Sequence, residues 1–393
     1  MSSMQKPSML TLVLLTGLSV LSLNMFLPSL AQMATGFGVN YALISLAVGG
    51  YLAVSAVLQI IMGPLSDRYG RRPVVLIGLG LFTLASVGCY FATDFRVFMV
   101  FRMLQAGIAA GMALSRAVVR DVAPASEAAR LLGVMGTAMA LAPLLGPMLG
   151  GLLDELFGWR ANFAAFAIMG ALLLVICWYD LQETNLEPSA SFTAQFRTYP
   201  DLAKSKLFWA YSVCLVFSVG GFFAFLGGAA LVGEGLFGLT PAQLGIGMGS
   251  ISGGFMLGNI VTGRMSGRYR PVSLMIAGRL FASFGPLLAI AVLALGWFNP
   301  YVLFGGAIFV GLGNGLTLPS ANAGVMSVNP RLAGSASGLS GALTVLGGAV
   351  ATALTGALAG GPSGAYVLLG FMSLTSFVGL IAALWVRQLE AAQ

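Results

Sequence analysis

The sequence predicts an all-α membrane protein of twelve transmembrane helices in two pseudo-symmetric six-helix bundles. Three observations carry that expectation. The 393 residues are 58% hydrophobic and only 8% charged, against about a quarter charged in a soluble domain, so lipid must solvate most of the surface. Apolar runs of about 20 residues, long enough to cross a bilayer, recur twelve times along the chain. The first half of the chain is echoed in the second.

The runs lie near 10–31, 41–63, 74–93, 97–119, 129–153, 161–180, 207–229, 241–263, 272–296, 301–324, 332–359 and 365–386, each bounded by charges or by Pro, Gly and Asn turns. The first run is about 20 residues long, so it reads as a span and not as a cleaved leader. The longest polar connection, residues 181–206, carries Glu183, Glu187, Pro188, Pro200, Asp201, Lys204 and Lys206. It reads as a cytoplasmic central linker between an N-terminal six-helix bundle, residues 1–180, and a C-terminal one, residues 207–393. Glycine is abundant, at 54 residues, as expected where membrane helices approach closely.

The echo is specific. Gly63-Pro-Leu-Ser66-Asp67-Arg68-Tyr69 recurs 200 residues later as Gly263-Arg-Met-Ser266-Gly267-Arg268-Tyr269. Gly107 and Gly111 recur as Gly311 and Gly315, and Gly133 and Gly136 as Gly338 and Gly341, at nearly the same offset. Two repeats of like topology imply a pseudo-two-fold axis along the membrane normal and a cavity between the halves near the midplane.

Charge sets the orientation. Of the 19 Lys and Arg, all but Arg96, Arg160, Arg102 and Arg279 fall on the side of the chain termini. That side is therefore cytoplasmic, and both termini with it. The same scatter between apolar spans accounts for the net charge of +7 without nucleic acid. Histidine is absent, which removes imidazole metal sites, Ser-His triads and histidine proton relays. Cys89, Cys177 and Cys214 lie inside apolar runs and read as small buried hydrophobes, not as metal ligands or disulfides. No metal or cofactor is expected. With no paired intramembrane carboxylates and no nucleophile motif, a membrane-embedded enzyme has little support.

Polar residues inside spans are the candidates for a small-molecule site, because they avoid lipid. Arg102 lies eight residues beyond Asp94, roughly 10 Å into span 4 at about 1.5 Å per residue. It reads as a cavity-facing cation, with snorkelling to the headgroups as the alternative. Arg279 reads as structural, near the cytoplasmic end of span 9. A cavity between halves would be lined by Asn24, Tyr51, Gln59, Arg102, Gln105, Met135, Met139, Phe217, Phe222, Phe225 and Asn314. Met and Phe suit an adaptable apolar pocket, although any one of them fits helix packing or lipid contact equally well.

The turn between spans 2 and 3, Gly63-x-x-x-Asp67-Arg68-x-Gly70-Arg71-Arg72, resembles the signature loop of the major facilitator superfamily. Gly63 allows close packing, and Pro64 is expected to end span 2. Asp67 is placed to accept from Arg side chains or to cap span 11 near Leu332, where a carboxylate is worth about 0.3–1 kcal/mol. The resemblance implies a gate that closes the cytoplasmic side. The plainer alternative is topogenic, Arg68, Arg71 and Arg72 holding the loop inside.

More narrowly, Leu23-Asn24-Met25-Phe26-Leu27-Pro28, Arg102-Met-Leu-Gln105-Ala-Gly107, Ser115-Arg116-Ala-Val-Val-Arg120-Asp121 and Phe237-Gly238-Leu239-Thr240-Pro241 resemble Bcr/CflA-type drug exporters. Gly146-Pro147-x-x-Gly150-Gly151 in span 5 is similar to the conformational motif of drug–proton antiporters. The resemblance implies a monomeric multi-pass protein of the bacterial inner membrane. It would export amphipathic compounds by proton antiport and alternating access. One departure stands out: Asn24 occupies a position where such relatives often carry an acid, and an amide carries no proton. This keeps open an uncoupled metabolite facilitator of the same fold. No Asp or Glu lies deep in a span. Asp121, with Arg102, is the first candidate for proton coupling, its alternative being a loop ion pair. Asp154 and Glu155 after span 5 and Glu234 after span 7 are the other candidates, each with an interfacial residue as the commoner reading.

Overall fold

A computed structural model describes residues 7–122, 125–185, 202–265, 267–329 and 332–391. Most of the central linker (186–201), together with Ser266 and Arg331, lies outside these residues.

Fourteen α-helices occur among the described residues. In the first half they are α1 (Met9–Asn24), α2 (Leu30–Phe37), α3 (Tyr41–Tyr69), α4 (Arg71–Phe91), α5 (Phe95–Leu104), α6 (Ala109–Val122), α7 (Ala125–Phe157) and α8 (Arg160–Asp180). In the second they are α9 (Lys206–Phe237), α10 (Pro241–Met265), α11 (Pro271–Ala294), α12 (Pro300–Ser327), α13 (Ala333–Leu358) and α14 (Gly364–Ala391). A short 3-10 turn, Leu27–Ser29, joins α1 to α2, and another, Gln105–Ile108, joins α5 to α6. Counting each joined pair as one span gives twelve, six per half. Ten of these are long and apolar enough to cross a membrane by length and composition; the α5–α6 pair and α7 complete the set. The chain is a multi-pass membrane protein.

Helix ends follow local chemistry. Ser8, Asn40, Asp94, Ser205 and Asn299 each accept a backbone N–H of the first turn they precede, which satisfies donors a helix start leaves open. The repeat is visible in the caps. Gly38 ends α2 at φ +64° and Gly238 ends α9 at φ +62°, 200 positions apart. Each is followed by a residue whose N–H returns to the preceding turn, Val39 to Ala34 and Leu239 to Gly233, the left-handed stop that glycine makes cheaply.

Three expected boundaries are corrected. Pro64 does not end span 2: α3 continues through Gly63 and Pro64 to Tyr69 and stops at Gly70, φ +96°. A proline removes one ladder bond, and the turns on either side carry the helix past it. In the second copy, α10 stops earlier, at Met265, with Gly267 at φ +83° in the place that aligns with Asp67. Spans 5 and 7 also run further than their apolar stretches, to Phe157 and Phe237. Asp154 and Glu234 are therefore in last helical turns, not in loops.

The face that carries the chain termini also carries the arginine-rich turns and is called here the basic face. One continuous apolar core runs through both halves. A second cluster, including Phe208, Tyr211, Met275, Val325 and Val386, fills only the second half, near the basic face.

Candidate functional site

At the basic face, the signature turn is tied to the start of the linker. Gly70 breaks α3, so the N–H groups of Arg71 and Arg72 open α4 without helical partners. Glu183 fills that gap, Oε1 accepting from Arg71 N–H at 2.8 Å and Oε2 from Arg72 N–H at 3.2 Å. A side chain at Gly70 would overlap the Glu183 carboxylate. Arg71 pairs with Asp67 at 2.6 Å and donates through Nε to Asp121 at 3.1 Å. Thr184 donates to the same Asp121 oxygen, and Asn185 Nδ2 donates to the Asp67 carbonyl. Arg72 reaches the Trp178 carbonyl and lies over its ring, while exposed Arg68 stacks beside Tyr69.

Asp67 thus takes the arginine partner within its own half, and its carboxylate is bonded to Arg71 in this conformation instead of capping α13. Asp121 is an ion-pair member at a helix end. Glu183, Thr184 and Asn185 were not foreseen as parts of this cluster. Their only sequence signal was an acid soon after span 6, and the long-range pairing is not readable from spacing.

Inside the first half, Arg102 is fully buried, which excludes snorkelling to the headgroups. It lies in the last turn of α5 and reaches carbonyls of neighbouring helices. Its guanidinium donates to Ala47 O at 3.0 Å, Ser22 O at 3.0 Å and Gln105 Oε1 at 2.7 Å. It lies between the rings of Tyr51 and Phe26, at 4.1 and 4.3 Å from their centroids. Gln105 continues to Ser86, and Tyr51 hydrogen-bonds Ser22. Spans 1, 2, 3 and 4 are therefore cross-linked through one cation. Asn24, nearby on α1, donates to its own helix at Val20 O, while its Oδ1 is buried with no partner.

The second half has its own buried cation. Arg279 on α11 donates to Thr317 Oγ1 at 3.0 Å and to Asn314 Oδ1 at 2.6 Å, consistent with a structural role, and Nη1 has no partner. Asn314 is thereby held by Arg279. Phe225 is fully buried edge-on against Phe304 and packs α9 on α12, the helix-packing alternative for this residue. Met135 is buried in the shared core. Met139 and Phe222 are half-buried, Met139 accepting from Arg116 and Phe222 packing on Phe223.

The halves meet away from the basic face. On α7, Gly146 and Gly150 sit against α1 at Leu21 and Met25, while side chains at Gly151 and Gly245 would overlap the carbonyls of Pro241 and Pro147. On the other side, Gly49 faces Ala349 and Ala353, and Gly356 faces Ser45. Tyr41 donates across to Gly227 O, and Ala242 N–H to Glu155 Oε2. These contacts use the ends of α1, α3, α7, α9, α10 and α13 remote from the basic face. Toward the basic face, a Cβ added at Gly136, Gly334 or Gly338 would meet nothing within 4 Å, and all three residues are exposed. The close contacts between the halves thus lie on the non-basic side, and these three positions toward the basic face are open.

A family model for the Major Facilitator Superfamily matches residues 12–288. An uncharacterized MFS-type transporter of Bacillus subtilis is 30% identical over 86% of this chain and 86% of its own length. Multidrug resistance protein D of Escherichia coli is 27% identical over 89% of this chain and 88% of its own. A chloramphenicol resistance protein of Pseudomonas aeruginosa is 31% identical over 53% of this chain and 50% of its own. Among solved structures, a bacterial homolog of the human lysosomal transporter Spinster, inward-facing and unoccupied, superposes with TM-score 0.75 at 16% identity, covering 96% of this chain and 95% of that one. A D-xylose–proton symporter superposes with TM-score 0.72 at 16% identity, covering 96% of each.

Proposed function

Since this chain belongs to the major facilitator superfamily, we propose that it exports small amphipathic compounds across the bacterial inner membrane by alternating access, in exchange for protons. The observation that carries the substrate class is the likeness to a multidrug resistance protein over nearly the whole length. In this reading residues 1–180 and 207–393 are the moving halves, 181–206 is the linker, and the protein works as a monomer. The basic face is cytoplasmic, so the seam that is open there is the loading state of an exporter. Half-buried Met139 and Phe222 offer adaptable apolar contact to a drug, and Asn24 offers a buried, unused amide oxygen. Arg102 acts on this site by holding spans 1, 2 and 4 in place. Asp67, Arg71 and Asp121 form the cytoplasmic gate, with Arg68, Gly70 and Arg72 shaping its turn.

Transport into inverted vesicles tests the proposal. A fluorescent amphipathic dye and chloramphenicol should accumulate when the vesicle interior is acid, and collapsing the pH gradient should abolish accumulation. A second reading, an uncoupled facilitator, is favoured by Asn24 in place of an acid in span 1. Accumulation down the substrate gradient that ignores the pH gradient would select it.

A further inference from the structure

We propose that Asp154 and Glu234 form a proton-binding site in the seam between the halves, and that proton occupancy lets this face of the protein close. The two carboxyls come from opposite halves, α7 and α9, and line one recess of about 480 Å³ with Gln32, Glu155, Thr240 and Pro241. Asp154 is 4% exposed, and neither of its carboxyl oxygens has a hydrogen-bond partner. Glu234 Oε2 is likewise buried and unpartnered. Buried carboxylates are normally paired or richly hydrogen-bonded. Leaving three such oxygens empty is costly if the groups are charged.

The surroundings make charge worse. Both residues occupy the last turn of their helices, Asp154 ahead of the end at Phe157 and Glu234 ahead of the end at Phe237. Helix C-termini carry partial negative charge and disfavour anions. The titratable neighbours do not compensate. Glu155, on the same helix, adds negative charge and is occupied by Ala242 N–H. Tyr41 of α3 spends its hydroxyl on Gly227 O. Arg160 of α8, the nearest cation in sequence, donates to Ala92 O and stacks on Trp159. Neighbouring α1 and α2 carry no charge, and the single charge of α10, Arg264, is at its opposite end. With no cation in the recess, protonation is the available way to bury the pair. Each protonation moves one proton from hydronium to a carboxylate oxygen, giving the neutral acid and water. When the halves part on this side, the carboxyls return to water and the proton leaves.

The inference rests on the alternating access proposed above and not on drug antiport. Spin labels at Thr35→Cys and Trp297→Cys, with the three native cysteines replaced by serine, report the separation of the halves on this face in nanodiscs without drug. The closed population should grow as pH falls from about 8.5 to about 5, by up to about tenfold per pH unit for one proton in its titrating range. Asp154→Asn and Glu234→Gln preserve shape and should hold the face closed with most of that pH response lost. A wild-type distribution that ignores pH overturns the site, as does an unchanged pH response in both folded variants, or a response that follows sodium at fixed pH. Vesicle transport is read in parallel. A pH-dependent seam in a protein that moves no drug leaves the proton site standing and removes the efflux reading alone.

Discussion

Glu183 accepts the first two backbone N–H groups of α4, from Arg71 and Arg72, at 2.8 and 3.2 Å. The chain that leaves span 6 thereby caps the helix that begins span 3. This couples the linker to the signature turn more directly than the charged side chains of that turn do. Glu183→Ala removes both acceptors. The expected loss is about 1 kcal/mol, as for other N-terminal caps, and it appears as a lower apparent melting temperature in detergent. Glu183→Gln, which keeps one acceptor, falls between the two.

Asp67→Asn separates gating from stability. The Asp67–Arg71 pair joins residues four apart, and the Asp67 side chain is 41% exposed, so its loss should cost only about 0.2–1 kcal/mol. If the turn is only a topogenic anchor, transport by the variant stays at the wild-type level. A gate requires transport to fall severalfold while the melting temperature hardly moves.

Arg102 is a different case. Its removal takes the Arg102 donor from Ser22 O and Gln105 Oε1 in a buried site, each worth about 1–3 kcal/mol when left unsatisfied, and empties the space between two rings. Arg102→Ala should therefore lose most folded protein, judged by monodispersity on size exclusion. Arg102→Lys keeps the charge but not the planar fork between two rings, and should recover only part of the folded yield.

The seam itself can be wedged. Gly151→Leu places a side chain where Pro241 O already lies, whereas Gly136→Leu enters open space. The first should remain folded, transport nothing and show both halves parted on the non-basic face in cross-linking. The second should fold normally but occupy space that alternating access must close, so transport should fall severalfold with the halves held parted at the basic face.

The twelve spans were legible because lipid demands long apolar helices, and composition alone reports that demand. The 200-residue echo was legible because it is a repetition, and the paired caps at Gly38 and Gly238 bear it out. What the sequence did not yield is what depends on distant partners. Arg102 was visible as a costly residue, but its enclosure by Tyr51 and Phe26 required knowing how spans 1, 2 and 4 pack. Pro64 misled because helix interruption is a local tendency that neighbouring turns override. Asp154 and Glu234 were named as proton candidates but ranked behind Asp121 as interfacial residues, because hydropathy ends before their helices do. Their meeting across the seam depends on how two halves dock, which no local pattern encodes.

The seam between α7 and α10 is built from glycine against carbonyl, with Gly151, Gly245 and Gly249 lying on Pro241, Pro147 and Leu144. Apart from the bond of Glu155 to Ala242 N–H at its rim, this surface rests on backbone contacts, so it peels apart with little side-chain rearrangement. Adhesion comes from many shallow contacts, each individually weak, and so the joint is strong in shear-free closure yet has no single catch. A transporter assembled this way needs no key to start opening, only a modest bias distributed along the whole edge.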